Sequence, residues 1–559
     1  MKISVITVSY NAKDDIEKTI KSVVEQRFND YEYIIVDGAS YDGTVDQIRN
    51  HEKDITIWIS EPDTGIYNAM NKAARIAKGD YCIFMNAGDK FANPLTLKAA
   101  SLFLSDGFDV VTGCEITTKC GRVIDYIIPP AETTVEHFYC HSISHQSSFI
   151  KRSLLLEFPY DENLRLVSDW KFWIETLVLN KKTYRAIDVD ISIFNHDGRT
   201  FSQLDHGLKE RKKVINELIP HSICIAFENR PPSLFKRLYH KISKKFKLET
   251  KIKTVRRKIE YNRNYFTVLG ISAIGVIGAR MLGWTKKKHM IIAYFLSNNY
   301  SSFIKDSDTP IAKNKIIELG FTPIWVCWWQ GESMMPLLPK ICLKTIRKNI
   351  QNNQKVILIS KDNYKEFISL PQCVFDALGE GRLPITQLSD ILRFALLEKY
   401  GGLWIDSTCY VSSKLPDLKD ILFYSAKQNK QDDWTYISRY RWASYLIGGK
   451  SNILFTNEKS LLIEYIKKEK VIVDYLLLDY LLDLIHKKSN CCKKIIDSCS
   501  YYNPNILCMA EHLGAQYTDE LWNSIIKMDD IHKLSRKVKY NLFCDIDQMT
   551  IFGKMIDSL

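Results

Sequence analysis

A chain of 559 residues that is 46% hydrophobic and 25% charged is too long for one ordinary core and too apolar to stay unfolded, so two or more globular domains are expected. Its net charge of +12 is concentrated: residues 236–263 hold twelve Lys and Arg against Glu249 and Glu260, and the remainder is close to neutral. The feature to explain is a basic segment, not a basic protein, and no reader motif for nucleic acid accompanies it.

The opening MKISVITVSYNA lacks a charged start followed by a long apolar run. It reads as a first strand, residues 3–8, and not as a signal peptide. Fourteen cysteines without a CxxC pair suit reduced thiols in a cytoplasmic protein better than a disulfide framework. Asp14 and Asp15 open a helix with Ile16, Ile20, Val23 and Val24 on one face. Residues 33–36 and 55–59 form the next strands, separated by DGASYDGT and a short helix at 45–50. Strands alternating with helices imply a mainly parallel α/β sheet.

Residues 60–89, SEPDTGIYNAMNKAARIAKGDYCIFMNAGD, organise this half. An acidic loop leads into a helix with Ile66, Met70, Ala73, Ala74 and Ala77 on one side, ended by Gly79. A buried strand, 81–85, then delivers Asn86-Ala87-Gly88-Asp89. Asp37, Asp63 and Asp89 each fall just past a strand's carboxyl end, the rim where parallel sheets bind ligands. Turn formation or capping accounts for any one of them. Three aligned carboxylates call for a cation, a ribose or a base edge. Neither a G-x-G-x-x-G nor a P-loop motif follows these strands, which argues against a dinucleotide or P-loop site.

SVITVSYNA, IIVDGASYDGT, SEPDTGIYNAMNKA, GDYCIFMNAGD, HQSSF and SDWKFW together resemble the nucleotide-sugar-binding GT-A domain of glycosyltransferase family 2, over about residues 1–211. The resemblance implies that Asp37 contacts the base or ribose and that Asp63 and Asn86 line the donor pocket. Asp89 would be the surviving carboxylate of a DXD metal motif, with Asn86 where many members have Asp. A divalent metal, Mg²⁺ or Mn²⁺, would hold the donor's diphosphate. Asp169 would be the base of an inverting displacement, because an acceptor hydroxyl needs a base in reach. His145-Gln146 would lie near the acceptor, and His196 near the diphosphate or metal. A helix N-terminal charge is the competing reading of Asp169, and a hydrogen-bonded loop histidine that of His196.

Pro231-Pro232 opens a linker, residues 231–317. Leu234, Phe235, Leu238, Ile242 and Phe246 recur among its lysines, and an apolar run of fourteen follows at 266–279. A spanning helix needs about twenty apolar residues. A solvated helical linker and a peripheral contact with an anionic membrane surface both fit this pattern.

A second α/β pattern starts near residue 322: strands at 323–327 and 355–359, helices at 338–349 and from 386, then Gly401-Gly402 and strand 403–405. Asp390 and Arg393 share one face of an apolar helix, an arrangement that serves a structural ion pair or a sugar diphosphate. WWQG and SDILRFALLEKYGGLWID resemble the capsular polysaccharide synthesis glycosyltransferases, related to the family 32 sugar-binding DXD group, over about residues 321–541. This implies a second GT-A domain within residues 318–559. Asp390 and Arg393 would sit on the donor and Asp406 on the metal, with Thr408 in place of the second Asp.

The resulting expectation is two GT-A domains joined by a basic helical linker, adding sugars from nucleotide-sugar donors, UDP-sugars foremost, to a lipid-linked surface polysaccharide. The first would invert and the second retain. The enzyme would work in the cytoplasm at the inner membrane face. The alternatives are one active domain with a scaffold partner, and a nucleotidyltransferase.

Overall fold

The computed structural model describes residues 2–195, 204–220, 262–307, 319–428, 430, 432–545 and 548–559. The chain divides into two units: unit 1 comprises Met1–Lys236, Gly514–Tyr517 and Tyr540–Leu559, and unit 2 comprises Arg237–Leu513 and Thr518–Lys539.

Unit 1 is built on β1 (Ile3–Ser9), β2 (Tyr31–Asp37), β3 (Ile57–Ser60), β4 (Tyr81–Phe84), β5 (Lys90–Phe91), β6 (Val110–Lys119), β7 (Arg122–Ile127), β8 (Ser148–Lys151) and β9 (Tyr184–Asn195). They form one sheet of order β3-β2-β1-β4-β8-β6-β9-β5, with β7 paired to β6. The β3-β2-β1-β4 portion is parallel, and β1 is buried along its whole length, as strands covered on both faces are. The register aligns three strand ends, Ser9 with Asp37 and Asp37 with Ser60. The helix Ile66–Ile76 packs Met70, Ala73 and Ala74 into the same cluster as Ile6, Val36, Phe84, Trp170 and Trp173.

Gly79 does not end that helix, which stops at Ile76 with Ala77 as its cap. Its amide instead donates to Ser4 Oγ and Glu32 Oε1, both at 2.9 Å. A Cβ there would lie 2.7 Å from the Ser4 nitrogen, so glycine is needed for close approach to β1.

Unit 2 contains β10 (Thr322–Cys327), β11 (Gln354–Ile359), β12 (Gly402–Ile405), β13 (Cys409–Val411), β14 (Tyr424–Ser425), β15 (Leu446–Gly449) and β16 (Ile531–Lys533). Five make a mixed sheet of order β11-β10-β12-β15-β14, and β13 pairs with β16. The helix Ile385–Tyr400 ends at Gly401, φ 67°, as expected. A Cβ on Gly402, φ 94°, would lie 2.2 Å from the Pro323 carbonyl oxygen, so only glycine lets β12 lie against β10.

Two expected boundaries change. Part of the expected linker is core: Tyr265, Val268, Ala273, Val276, Ile292, Leu296 and Tyr300 pack in one cluster with Trp325 and Leu388 of unit 2. The apolar run at 266–279 thus has one buried face. Residues 540–559, expected in the second domain, cluster with unit 1. There the helix Ile551–Asp557 meets Thr96–Leu104, and Lys98 Nζ donates to the Asp557 carbonyl at 2.6 Å. Most of the basic segment, residues 236–261, lies outside the described residues.

Candidate active sites

Asp37, at the end of β2, is 0% exposed. Ser9 Oγ and Ser40 Oγ donate to its Oδ1 at 2.9 and 2.6 Å, while Ser40 N and Ser60 Oγ donate to Oδ2 at 2.9 and 2.7 Å. Hydroxyls and an amide thus satisfy this buried charge, and the carboxylate ties the ends of β1, β2 and β3 together. Asp63 lies beside it: a Cβ on Gly38 would sit 2.6 Å from Asp63 Oδ2. Asp63 Oδ1 accepts from the Gly65 amide at 2.9 Å.

Asp89 belongs to a second cluster. The charges bearing on it are His145 and Glu115, and burial pushes its carboxyl up to about 7. All three aspartates follow carboxyl ends of the parallel strands β2, β3 and β4. The turn carrying Asp89 is fixed by Thr19, whose Oγ1 accepts from the Gly88 amide at 3.0 Å and donates to the Asp89 carbonyl at 2.7 Å. Asn86 is held from behind by main-chain bonds from Met85 N to Ile6 O and from Ala87 N to Val8 O.

Asn86 Nδ2 lies 3.1 Å from His145 Nε2, and His145 Nδ1 lies 3.0 Å from Asp169 Oδ2. The other oxygen of Asp169 accepts from Tyr67 Oη at 3.0 Å and from the Trp170 amide at 2.9 Å. Burial would raise the Asp169 carboxyl, but His145, Tyr67 and the Trp170 amide outweigh it and hold it below the ordinary value. Burial would likewise lower the His145 imidazole, but Asp169, with Asp89 and Glu115, holds it above its ordinary value. With Nδ1 facing the Asp169 carboxylate and Nε2 facing the Asn86 amide nitrogen, the imidazole donates to Asp169 and accepts from Asn86. The Asp169 helix, Ser168–Trp173, also places its partner: Trp170 Nε1 donates to the carbonyls of Phe138 and His141, and Trp173 Nε1 to that of Ile143. These carbonyls lead directly into His145.

The residues near Asp89 fit a hard divalent cation. Asn86 Oδ1 is buried without a hydrogen-bond partner, and Asp89 supplies a desolvated carboxylate 8% exposed. Mg²⁺ and Mn²⁺ take oxygen ligands and need few from the protein when a diphosphate completes the shell. When bound, such a cation would neutralise charge on a departing diphosphate. His196 lies outside the described residues.

In unit 2, Asp390 and Arg393 share a helix face. Arg393 Nη1 is 3.0 Å from Asp390 Oδ1, its Nη2 is 3.6 Å from Asp406 Oδ1, and its guanidinium lies 4.8 Å from the Trp404 ring centre. Arg393 Nη1 is thus paired with Asp390, while its Nε is buried without a hydrogen-bond partner. Burial pushes Asp390 up to about 7 and Asp479, which accepts from Trp442 Nε1 at 2.8 Å, up to about 6. Asp406 differs. Lys533 Nζ donates to its Oδ2 at 2.8 Å and Trp404 Nε1 to its Oδ1 at 3.1 Å. Burial would raise this carboxyl, but Lys533 and Arg393 hold it below its ordinary value. Asp406 was expected to carry a metal, but its surroundings do not fit one: an ammonium and a guanidinium already face it, and a dication would meet like charge.

Glu458, on the helix Ile453–Lys468, completes this group. It is 0% exposed, neither carboxyl oxygen has a hydrogen-bond partner, and burial, with Asp479 and Asp390 nearby, drives it well above its ordinary value. The folded state therefore binds the proton more tightly than the unfolded chain, and stability falls as pH rises above 4.5. Glu458→Met is expected to stabilise unit 2 by about 1–3 kcal/mol, more at pH 8 than at pH 5, in urea unfolding of the full chain. A destabilised variant at pH 8 would show that the carboxyl has a partner.

The sequence singled out Asp169, Asn86, Asp390, Arg393 and Asp406. It missed Tyr67, Thr19 and Glu115 in unit 1 and Lys533, Glu458 and Asp479 in unit 2. Each acts across tens of residues with no local motif.

Comparison with known proteins bears on both units. The family model described as glycosyl transferase family 2 matches residues 4–130, and that of capsular polysaccharide synthesis protein matches residues 280–554. An uncharacterized glycosyltransferase of Mycobacterium tuberculosis is 32% identical over 192 residues, which is 33% of this chain and 72% of that protein. A putative teichuronic acid biosynthesis glycosyltransferase of Bacillus subtilis is 36% identical over 136 residues, 23% of this chain and 54% of that protein. Among solved structures, S. aureus TarS in complex with UDP-GlcNAc matches at 22% identity and a TM-score of 0.31, over 36% of this chain and 61% of that chain.

Proposed function

We propose, for a chain that belongs to glycosyl transferase family 2 through unit 1 and carries a capsular polysaccharide synthesis domain in unit 2, that both units transfer sugars from nucleotide-sugar donors to a growing bacterial surface polysaccharide. The observation that carries this reading is the Asp169–His145–Asn86 chain beside Asp89 at the carboxyl end of β4. It joins a poised carboxylate to a desolvated oxygen site.

In unit 1 the acceptor hydroxyl attacks the anomeric carbon and its proton passes to Asp169. Tyr67 and the Trp170 amide fix one oxygen of Asp169, and His145 orients the other. Attack opposite the departing diphosphate inverts the sugar. Asp63 lines the nucleoside side, with Asp37 as the buried clamp beneath it. For unit 2 the reading is a retaining course, with Asp390 and Arg393 on the donor. UDP-sugars are the first donors to test.

A nucleotide-sugar panel with lipid-linked oligosaccharide acceptors, scored for diphosphate release and product, tests this. Asp169→Asn and Asp390→Asn should each remove a different product. Loss of both products in either variant would leave one active domain, and no turnover of any nucleotide sugar would reject the reading.

The acceptor would be met at a membrane surface. No helix among the described residues is long and apolar enough to cross a membrane. The helices Ser272–Met281 and Thr285–Tyr300, with the residues that flank them, nevertheless expose Ile271, Ile274, Met281, Leu282, Trp284 and Met290. Lys287 Nζ lies 5.2 Å from the Trp284 ring centre, with Lys286 alongside. Apolar side chains rimmed by lysines suit anionic lipid. The full chain is expected to sediment with phosphatidylglycerol vesicles, less so at high salt. Trp284→Ser with Met281→Ser should reduce that binding, and undiminished sedimentation of the double variant would refute this surface.

A further inference from the structure

We propose that unit 2 holds the diphosphate of its donor with the Lys533 ammonium and the Arg393 guanidinium, and uses no divalent cation at Asp406. The inference rests on the reading of unit 2 as a transferase.

Three observations carry it. First, Asp406 is committed. Lys533 Nζ and Trp404 Nε1 occupy its two oxygens, with Arg393 Nη2 3.6 Å away. The residue two positions on, Thr408, brings a hydroxyl and not a second carboxylate, and the same Lys533 Nζ donates to it at 2.8 Å. One ammonium thus bridges both side chains of the D-x-T sequence, the place a cation would take.

Second, Lys533 is held there by the fold. Strand β16 pairs with β13, and Lys533 stands opposite Cys409. Its amide donates to the Ile506 carbonyl and the Leu534 amide to the Thr408 carbonyl, both at 2.8 Å. Its Nζ also lies 4.7 Å from the Tyr445 ring centre. A lysine fixed on both sides of its backbone against an aromatic face is a built feature, unlike a surface lysine that happens to reach a carboxylate.

Third, the rim offers unused donors. Arg393 Nε and Trp328 Nε1 are buried without a hydrogen-bond partner. Trp328 follows β10, which runs parallel to β12, so it emerges at the same sheet end as Asp406. Buried N–H groups are costly unless an acceptor reaches them. A diphosphate brings several anionic oxygens, and guanidinium and ammonium groups are the side chains that match them. Asp406 then acts as a positioning residue that aims Lys533.

The test uses the full chain carrying Asp89→Ala, which weakens the first site. It is titrated calorimetrically with UDP, GDP and CDP in EDTA and again with Mn²⁺. The expected result is binding of one equivalent of a nucleoside diphosphate in EDTA, changed less than about twofold by Mn²⁺. Lys533→Met should weaken it at least about tenfold, and Lys533→Arg should largely restore it. Thermal unfolding checks that the variants fold. If they do not, the EDTA comparison on the Asp89→Ala chain decides alone. Binding that needs Mn²⁺ would overturn the proposal while leaving unit 2 a transferase. Tight binding that survives Lys533→Met would overturn the role of the lysine. No binding with or without Mn²⁺ would sink both the proposal and the transferase reading of unit 2.

Discussion

Asp169→Asn is expected to slow transfer by unit 1 by about 100- to 10,000-fold, the range a positioned general base supplies, with little change in donor affinity. The expectation follows from how the carboxylate is held. Tyr67, the Trp170 amide and His145 take up both oxygens, so Asp169 is ionised at neutral pH and cannot rotate away from the acceptor. Asn keeps the shape and removes the proton acceptor. His145→Asn gives the comparison. It removes the imidazole whose hydrogen bond helps to hold Asp169 below its ordinary value, so the acid limb of the pH–rate profile should move to higher pH while kcat falls less than in Asp169→Asn. The pair also sets a stability window. Asp169 contributes above its unfolded value of 3.8 and His145 below its unfolded value of 6.5, so the contact is complete between those limits. It weakens as pH falls through the lowered Asp169 value or rises through the raised His145 value. An Asp169→Asn enzyme with near-normal kcat would exclude this residue as the base, and an unmoved acid limb in His145→Asn would exclude the coupling.

What was legible in the chain follows physical lines. The strands β1, β2, β10 and β11 lie within two residues of their expected bounds, because unbroken β-branched runs between turn residues leave little choice. The Gly401-Gly402 stop was readable because positive φ after a helix favours glycine. Gly79 was misread by the same rule: its φ is not positive, and its small size serves a strand contact 75 residues away in sequence. The site chemistry divides in the same way. Asp169 and Asp390-x-x-Arg393 carry local signatures, whereas Lys533 meets Asp406 across 127 residues. It arrives on β16, whose Ile-His-Lys sequence has neither the length nor the alternation that marks a strand. The committed state of Asp406 is a property of that pairing, so a reading of D-x-T alone could only assign it to a metal. The apolar run at 266–279 was ambiguous for a related reason: which face is buried depends on Trp325 and Leu388, far along the chain.

The two units should separate by their response to metal, and Asp89→Ala is the variant that shows it. Unit 1 is expected to lose about 1,000-fold in turnover on Asp89→Ala or in excess chelator, corresponding to the several kcal/mol that a Lewis acid contributes to a departing diphosphate. Asp89 is a buried carboxylate raised to about 7 by desolvation, with Asn86 Oδ1 unpartnered beside it. His145, which bears on Asp89, is already engaged by Asp169. That combination leaves room for added positive charge, whereas at Asp406 the charge is built into the chain as Lys533. Mn²⁺ counted by electron paramagnetic resonance, with saturating nucleoside diphosphate, should give one ion per chain in wild type, none in Asp89→Ala and one in Asp406→Asn. The count does not depend on turnover, so it stands even if the acceptor is wrong. One ion that persists in Asp89→Ala would place the metal elsewhere and remove Asp89 from the site, and two ions in wild type would overturn the metal-free reading of unit 2.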